Sequence, residues 1–81
     1  MKIEIKILNF FLLRKNNGSE YSNLINLDRY LVHSEKEKKY LGIYLSEKIQ
    51  EMLKDDLINT NNNKEYSITS KGLQYLKKNS K

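Results

Sequence analysis

The chain of 81 residues carries a formal net charge of +5 from 15 basic and 10 acidic side chains, with a sequence pI of about 9.4. Its length and its 38% hydrophobic content suit one compact core, so a single domain over residues 1–81 is expected and a second is excluded. Cysteine is absent, which excludes a disulfide framework and a thiolate metal site and makes a reducing cytoplasm the expected compartment.

The basic excess favours a polyanionic partner, against the alternative that the lysines simply solvate helix faces. It is uneven, since from Ser70 onward Lys71, Lys77, Lys78 and Lys81 occur with no acid. Pro, Trp and Ala are also absent while Lys, Asn, Ile and Tyr abound. That bias fits an AT-rich coding sequence and argues against assigning chemistry to every Asn or Lys.

At the amino terminus Lys2 and Lys6 precede an apolar run, Ile7 to Leu13, with the outline of a signal peptide. Asn9 interrupts the run, Arg14 and Lys15 follow at once, no small-residue cleavage site appears, and the run is too short to cross a bilayer. No membrane association is expected, and the Asn17-Gly18-Ser19 sequon is without consequence. Ile3, Ile7, Leu8, Phe11 and Leu12 fit a helical stripe that Asn16-Asn17-Gly18 would stop. Ile3, Ile5 and Ile7 also alternate with Lys2, Glu4 and Lys6, so residues 2–7 can instead form a strand ahead of a shorter helix, and a free strand seeks a partner.

Between Ser19 and Val32, the set Leu24, Ile25, Leu27 and Leu31, with Tyr21 and Tyr30, predicts a second helix. Ser34 followed by Glu37 is a capping box, which starts the third helix near Glu35. Leu41, Leu45, Ile49, Met52 and Leu53 then form one inward stripe that runs through Gly42 in register, so the helix is expected to reach about Asp55. Gly42 costs it about 1 kcal/mol relative to Ala and marks where a break would fall.

Leu57 and Ile58 close this stripe and lead into Asn59 and Thr60, a change from helical to extended character. Asn61, Asn62, Asn63 and Lys64 make a polar tip. Tyr66 and Ile68 are β-formers at alternate positions with Ser67 and Thr69, so the return limb of this β-hairpin is expected to bury one face and wet the other. Thr69 can cap a final helix carrying Leu73, Tyr75 and Leu76.

The run YSITSKGLQYL, Tyr66 to Leu76, resembles the last strand and helix of small winged helix-turn-helix regulators, in which Tyr/aliphatic-Thr-x-x-Gly-x-x-aromatic-Leu recurs. LSEKIQEMLKDDLI, Leu45 to Ile58, is similar to their recognition helix and helix-to-strand turn. The likeness is to the short archaeal, plasmid and phage-type proteins, with the multiple-antibiotic-resistance and PadR-like repressors more distant, and it covers less than half the chain. One departure is Asp56, where the family usually has Gly before the Leu-Ile pair as a left-handed helix stop. Asp tolerates that conformation better than most residues. The resemblance implies a mainly α winged helix-turn-helix domain with a small β-hairpin that binds double-stranded DNA. It implies transcriptional regulation, or an accessory role in replication or transfer of a plasmid, phage or other mobile element. Winged helices also serve as protein-binding modules, and that is the competing class.

On a helix, the face opposite the apolar stripe holds Lys36, Lys39, Tyr40, Ile43, Glu47, Gln50 and Lys54. Lys36, Lys39 and the Tyr40 hydroxyl suit phosphates, Ile43 a thymine methyl and Gln50 adenine. Glu47, Glu51, Asp55 and Asp56 make the second half of this helix unfriendly to phosphate, so contact is expected from the first half. Tyr44 belongs with the same candidate surface, and in the competing class Tyr40, Ile43 and Tyr44 form a docking patch. At the hairpin tip Lys64 and the three asparagines, Asn62 among them, reach a minor groove or the backbone. The bland alternatives are an ordinary solvated helix face, a good turn, and, for Lys71, Lys77 and Lys78, a soluble tail.

Catalysis finds little support. Gly18, Gly42 and Gly72 are the only glycines, so neither a phosphate-cradling loop nor a nucleophile elbow can be written. His33 stands alone and is expected at a surface or helix end, without a metal. Asp55 and Asp56 are adjacent and point apart on a helix, unlike an acid/base pair. No enzyme activity and no cofactor are expected. A homodimer is, because one small domain spans only a half-site and because Ile3, Ile5, Phe10 and Phe11 offer more apolar surface than a first helix needs. The alternative is that both phenylalanines complete the monomer core.

Overall fold

The computed structural model describes residues 2–33, 43–62 and 64–79, with the side chain of Ile43 left aside. In chain order the elements are α1 (Ile3–Asn16), β1 (Ser22–Asn23), α2 (Leu24–His33), α3 (Ile43–Lys54), β2 (Ile58–Thr60), β3 (Glu65–Ile68) and α4 (Ser70–Asn79). The strands form one antiparallel sheet in the order β1-β3-β2.

Residues 3–7 are helix, not strand, with Lys2 as the extended N-cap. Ile5 and Ile7 lie about 200° apart around a helix, yet both are buried, as are Leu8, Phe10 and Phe11. The reason is that α1 runs through the middle of the fold, against α2, α4 and β3, so it is apolar on nearly every side. An alternating isoleucine pattern therefore marks a surrounded helix here. The chain leaves α1 through Gly18, whose φ of 95° belongs to the left-handed region. The Ser19 and Gly18 amides donate to the carbonyls of Arg14 (2.8 Å) and Lys15 (3.1 Å), a Schellman stop.

The sheet has one more strand than the expected hairpin. Ser22 pairs with Tyr66 and Asn23 with Glu65, so β1 covers the edge of β3 that a hairpin alone would leave open. This shortens the second helix, which starts at Leu24 after Asn23 Oδ1 accepts the Asn26 amide at 2.9 Å. Ser67 departs from the expected wet face and is buried, because β3 is the central strand and a small side chain there keeps little accessible area.

Helix α3 turns Leu45, Ile49 and Met52 inward, with Leu53 packed at the edge of the core. The expected start near Glu35, the Ser34–Glu37 capping box, Leu41 and the passage through Gly42 lie outside the described residues. At the other end the helix stops at Lys54, so Leu57 does not continue its stripe. Asp56 takes the left-handed conformation, φ 62°, and the amides of Leu57 and Asp56 donate to the carbonyls of Met52 (3.0 Å) and Leu53 (3.1 Å). That second Schellman stop aims Leu57 and Ile58 into the core, where both are buried.

Thr69 caps α4 as expected, its hydroxyl accepting the Gly72 amide at 2.9 Å. Gly72 lies so close to the turn after α3 that an added Cβ would overlap the Leu57 carbonyl oxygen and crowd Ile68. Leu76 is buried, with Leu73 and Tyr75 packed at the core margin. Phe10 and Phe11 do not supply the surplus apolar surface expected of the first helix: they are 3% and 2% exposed, stacked edge-on at 5.2 Å, with Tyr30 5.3 Å from Phe10. Both rings are consumed by the core around α1. No helix of the described residues is long and apolar enough to cross a membrane.

Candidate nucleic-acid interface

Two surfaces carry the expected contact residues, the outer face of α3 and the loop between β2 and β3. On α3, Tyr44 and Gln50 are exposed, as are Glu47, Glu51 and Lys54. Ile43 opens the helix. Lys36, Lys39 and Tyr40 lie outside the described residues. His33 is exposed at the end of α2.

Asn62 and Lys64 are exposed on the β2–β3 loop, which internal bonds hold in shape. The Thr60 hydroxyl donates to the Glu65 carbonyl at 2.8 Å, and the Asn61 amide donates to the same oxygen at 3.3 Å. Asn61 Nδ2 donates to the Glu65 carboxylate at 3.1 Å, so this asparagine also serves to hold the loop. The structure therefore gives Asn61 a role in the loop that composition could not.

Charge is unevenly distributed over this part of the chain. From Ile43 to Asp56 the chain holds Glu47, Glu51, Asp55 and Asp56 against Lys48 and Lys54. Lys48 is engaged internally: its Nζ reaches Glu4 Oε2 at 3.1 Å and Glu51 Oε1 at 3.3 Å, and it stands 5.7 Å over the Tyr44 ring. The hydrogen bond to Glu4 raises the Lys48 pKa, against burial, with Glu51 adding to the rise. Burial pushes Glu4 up, but its backbone hydrogen bond and Lys48 outweigh this and hold it below the ordinary carboxylate range. The acidic excess of this segment thus lies at its end, in Asp55 and Asp56 just beyond α3, whereas Lys64, Lys71, Lys77 and Lys78 are all exposed along the hairpin loop and α4. Lys48 escaped the sequence reading because its principal partner lies 44 residues away.

Comparison with protein-family models, curated proteins and solved structures finds no match to this chain.

Proposed function

We propose that the chain is a winged helix-turn-helix protein that binds double-stranded DNA. The carrying observation is the arrangement at the hairpin: β2 and β3 follow α3 directly, share a sheet in the order β1-β3-β2, and present Asn62 and Lys64 outward from a loop fixed by Glu65. An α-β-α-α-β-β-α order of this kind supplies a helix for a groove and a wing beside it. The net charge of +5 provides attraction to phosphate. On this reading Lys36, Lys39, Tyr40, Ile43, Tyr44 and Gln50 meet the major groove or its phosphates, and Asn62 and Lys64 the neighbouring backbone or minor groove. The role is sequence-specific regulation of transcription, or an accessory part in replication or transfer of a mobile element, in the cytoplasm and without a cofactor.

A homodimer fits this role because two half-sites one turn apart multiply affinity through high local concentration. With Phe10 and Phe11 inside the core, that geometric reason carries the dimer, and sedimentation at tens of micromolar, with and without duplex, tests it.

A gel shift of the duplex upstream of the protein's own gene tests the reading. Affinity is expected to fall steeply between roughly 50 and 200 mM salt. No shift of any duplex by micromolar protein at low salt overturns it. The acids Glu47, Glu51, Asp55 and Asp56 on and just after α3 favour one competing reading, a winged-helix protein-interaction module, for which the salt dependence would be shallow.

A further inference from the structure

Helix α1 ends at Asn16, and the Asn17-Gly18 pair that follows is the one place in the chain where an asparagine precedes a glycine. Both residues are exposed, and a Cβ built on Gly18 would meet nothing within 4 Å, so water and base reach the peptide bond between them. An asparagine amide is open to attack by the backbone nitrogen of the next residue, and glycine, with no side chain, obstructs that attack least. The turn holds the attack off in two ways. The Gly18 amide donates its proton to the Lys15 carbonyl at 3.1 Å, which opposes its removal, and the Ser19 amide is held by the Arg14 carbonyl at 2.8 Å. Ring closure also requires the Asn17 Cβ and the Gly18 nitrogen to eclipse each other about the Cα–C bond. At a ψ of 12° it is the Asn17 nitrogen that nearly eclipses the Gly18 nitrogen, which leaves Cβ about a third of a turn away.

We infer that Asn17 is the chain's site of spontaneous conversion to aspartate and isoaspartate, and that the stop at Gly18 gates the reaction. When the turn opens, the Gly18 nitrogen gives its proton to solvent base and bonds to Asn17 Cγ. The Cγ–Nδ2 bond then breaks, and ammonia leaves behind a five-membered cyclic imide. Water opens the imide at either carbonyl. Attack at Cγ restores the ordinary backbone with an aspartate side chain, whereas attack at the main-chain carbonyl carbon leaves Gly18 joined through the side chain, as isoaspartate. Both products place a carboxylate just past the C-terminal end of α1, where the helix dipole disfavours negative charge. Isoaspartate also adds a backbone carbon ahead of the Gly18 amide, so the bonds to Lys15 and Arg14 lose their register. The reaction therefore starts from the open turn and keeps it open. The site goes beyond duplex binding and does not depend on it.

Incubation of the whole chain in mildly alkaline buffer, with and without concentrated urea, tests this by peptide mass mapping. The tryptic peptide of residues 16–29 carries Asn16, Asn17, Asn23 and Asn26, so its fragment masses assign the amide-to-acid change to one of them. Asn17 is expected to convert before any other asparagine in both samples. The folded chain should react roughly tenfold to a hundredfold more slowly, because two backbone hydrogen bonds must open first. Hydrogen exchange of the Ser19 amide measures that opening independently, and its protection should match the slowdown within about threefold. Asn17→Ser, at an exposed position and with its fold checked by circular dichroism, should abolish the early product. The isoaspartate chain, separated by chromatography, should unfold at lower urea than the parent. Earlier conversion of another asparagine, equal rates with and without urea, no conversion in either sample, or an early product that persists in Asn17→Ser would each overturn the site. A slowdown unrelated to Ser19 protection, or an unchanged urea midpoint of the isoaspartate chain, would overturn the role of the stop.

Discussion

The Thr69 hydroxyl donates to the main-chain carbonyl of Asp56, the one non-glycine residue with positive φ among the described residues. The same oxygen accepts the Gly72 amide, and the Thr69 amide donates to the Leu57 carbonyl at 3.1 Å. One side chain therefore caps α4 and fastens it to the turn that ends α3. Loss of the hydroxyl removes both bonds, so Thr69→Ala should lower stability by about 1–3 kcal/mol, while Thr69→Ser keeps most of it. Urea unfolding of the three chains checks this, and equal midpoints would show that the clasp contributes nothing.

Asp56 itself makes a second test. Its side chain is exposed and its backbone sits where a side chain is disfavoured. Asp56→Gly relieves that cost but frees the unfolded chain, so a net gain of up to about 0.5–1 kcal/mol is expected. Asp56→Val should lose about 1–2 kcal/mol, because a β-branched residue tolerates the left-handed region poorly. Reversal of this order in thermal unfolding would mean that the Asp56 carboxylate has a role of its own.

Gly72 and Gly18 separate two reasons for glycine. At Gly18 an added Cβ meets nothing, and only the positive φ resists it, so Gly18→Ala should cost about 1 kcal/mol. At Gly72 the obstacle is the Leu57 backbone, which yields only if α4 shifts. Gly72→Ala should therefore cost more, about 2–3 kcal/mol or above, despite the better helix propensity of Ala. Similar losses at both positions would contradict the close approach of α4.

The link between α1 and α3 through Glu4 and Lys48 should appear in the pH profile, because their side chains are only 25% and 16% exposed. Folding lowers the Glu4 pKa, so its contribution is complete above the unfolded value of about 4.5 and is lost as pH falls through the folded one. Folding raises the Lys48 pKa, so its contribution is complete below about 10.5 and is lost as pH rises through the higher folded value. Glu4→Gln should flatten the acid limb of the urea midpoint, and Lys48→Met both limbs, each by no more than about 1 kcal/mol. An acid limb unchanged in Glu4→Gln would dismiss the pair.

What could be read in advance follows the range of the interaction. The inward positions of α3, the stop at Gly18, the cap at Thr69 and the tolerance of Asp56 for a left-handed turn are local and were legible in the residues. The helical state of residues 3–7 was not, because alternation of Ile3, Ile5 and Ile7 has two meanings until α2, α4 and β3 are seen to surround them. Strand β1 escaped notice because two polar residues, Ser22 and Asn23, carry no β pattern and are extended only by pairing with β3. The partners of Thr69 and Lys48, 13 and 44 residues away, are set by tertiary packing alone. At the candidate interface, sequence identified Asn62 and Lys64 as tip residues, whereas the engagement of Asn61 with Glu65 required the fold.

The bonded loop at the tip leads to the last prediction. Lys64 is exposed on a loop whose shape rests on Thr60, Asn61 and Glu65, so changing it alters charge without loosening the hairpin. If the loop lies against a duplex, Lys64→Ala should weaken binding to all sequences alike and reduce the slope of log affinity against log salt by about one. Lys54→Ala, at the acidic end of α3, should change the slope little, since Glu51, Asp55 and Asp56 keep phosphate away from it. Asn61→Ala should act differently again: it removes the bond to Glu65, so any loss of affinity should come with faster amide exchange in the loop. Salt titrations by fluorescence anisotropy on one duplex distinguish the three. A slope unchanged in Lys64→Ala, or one reduced equally by Lys54→Ala, would move the contact surface away from the hairpin tip.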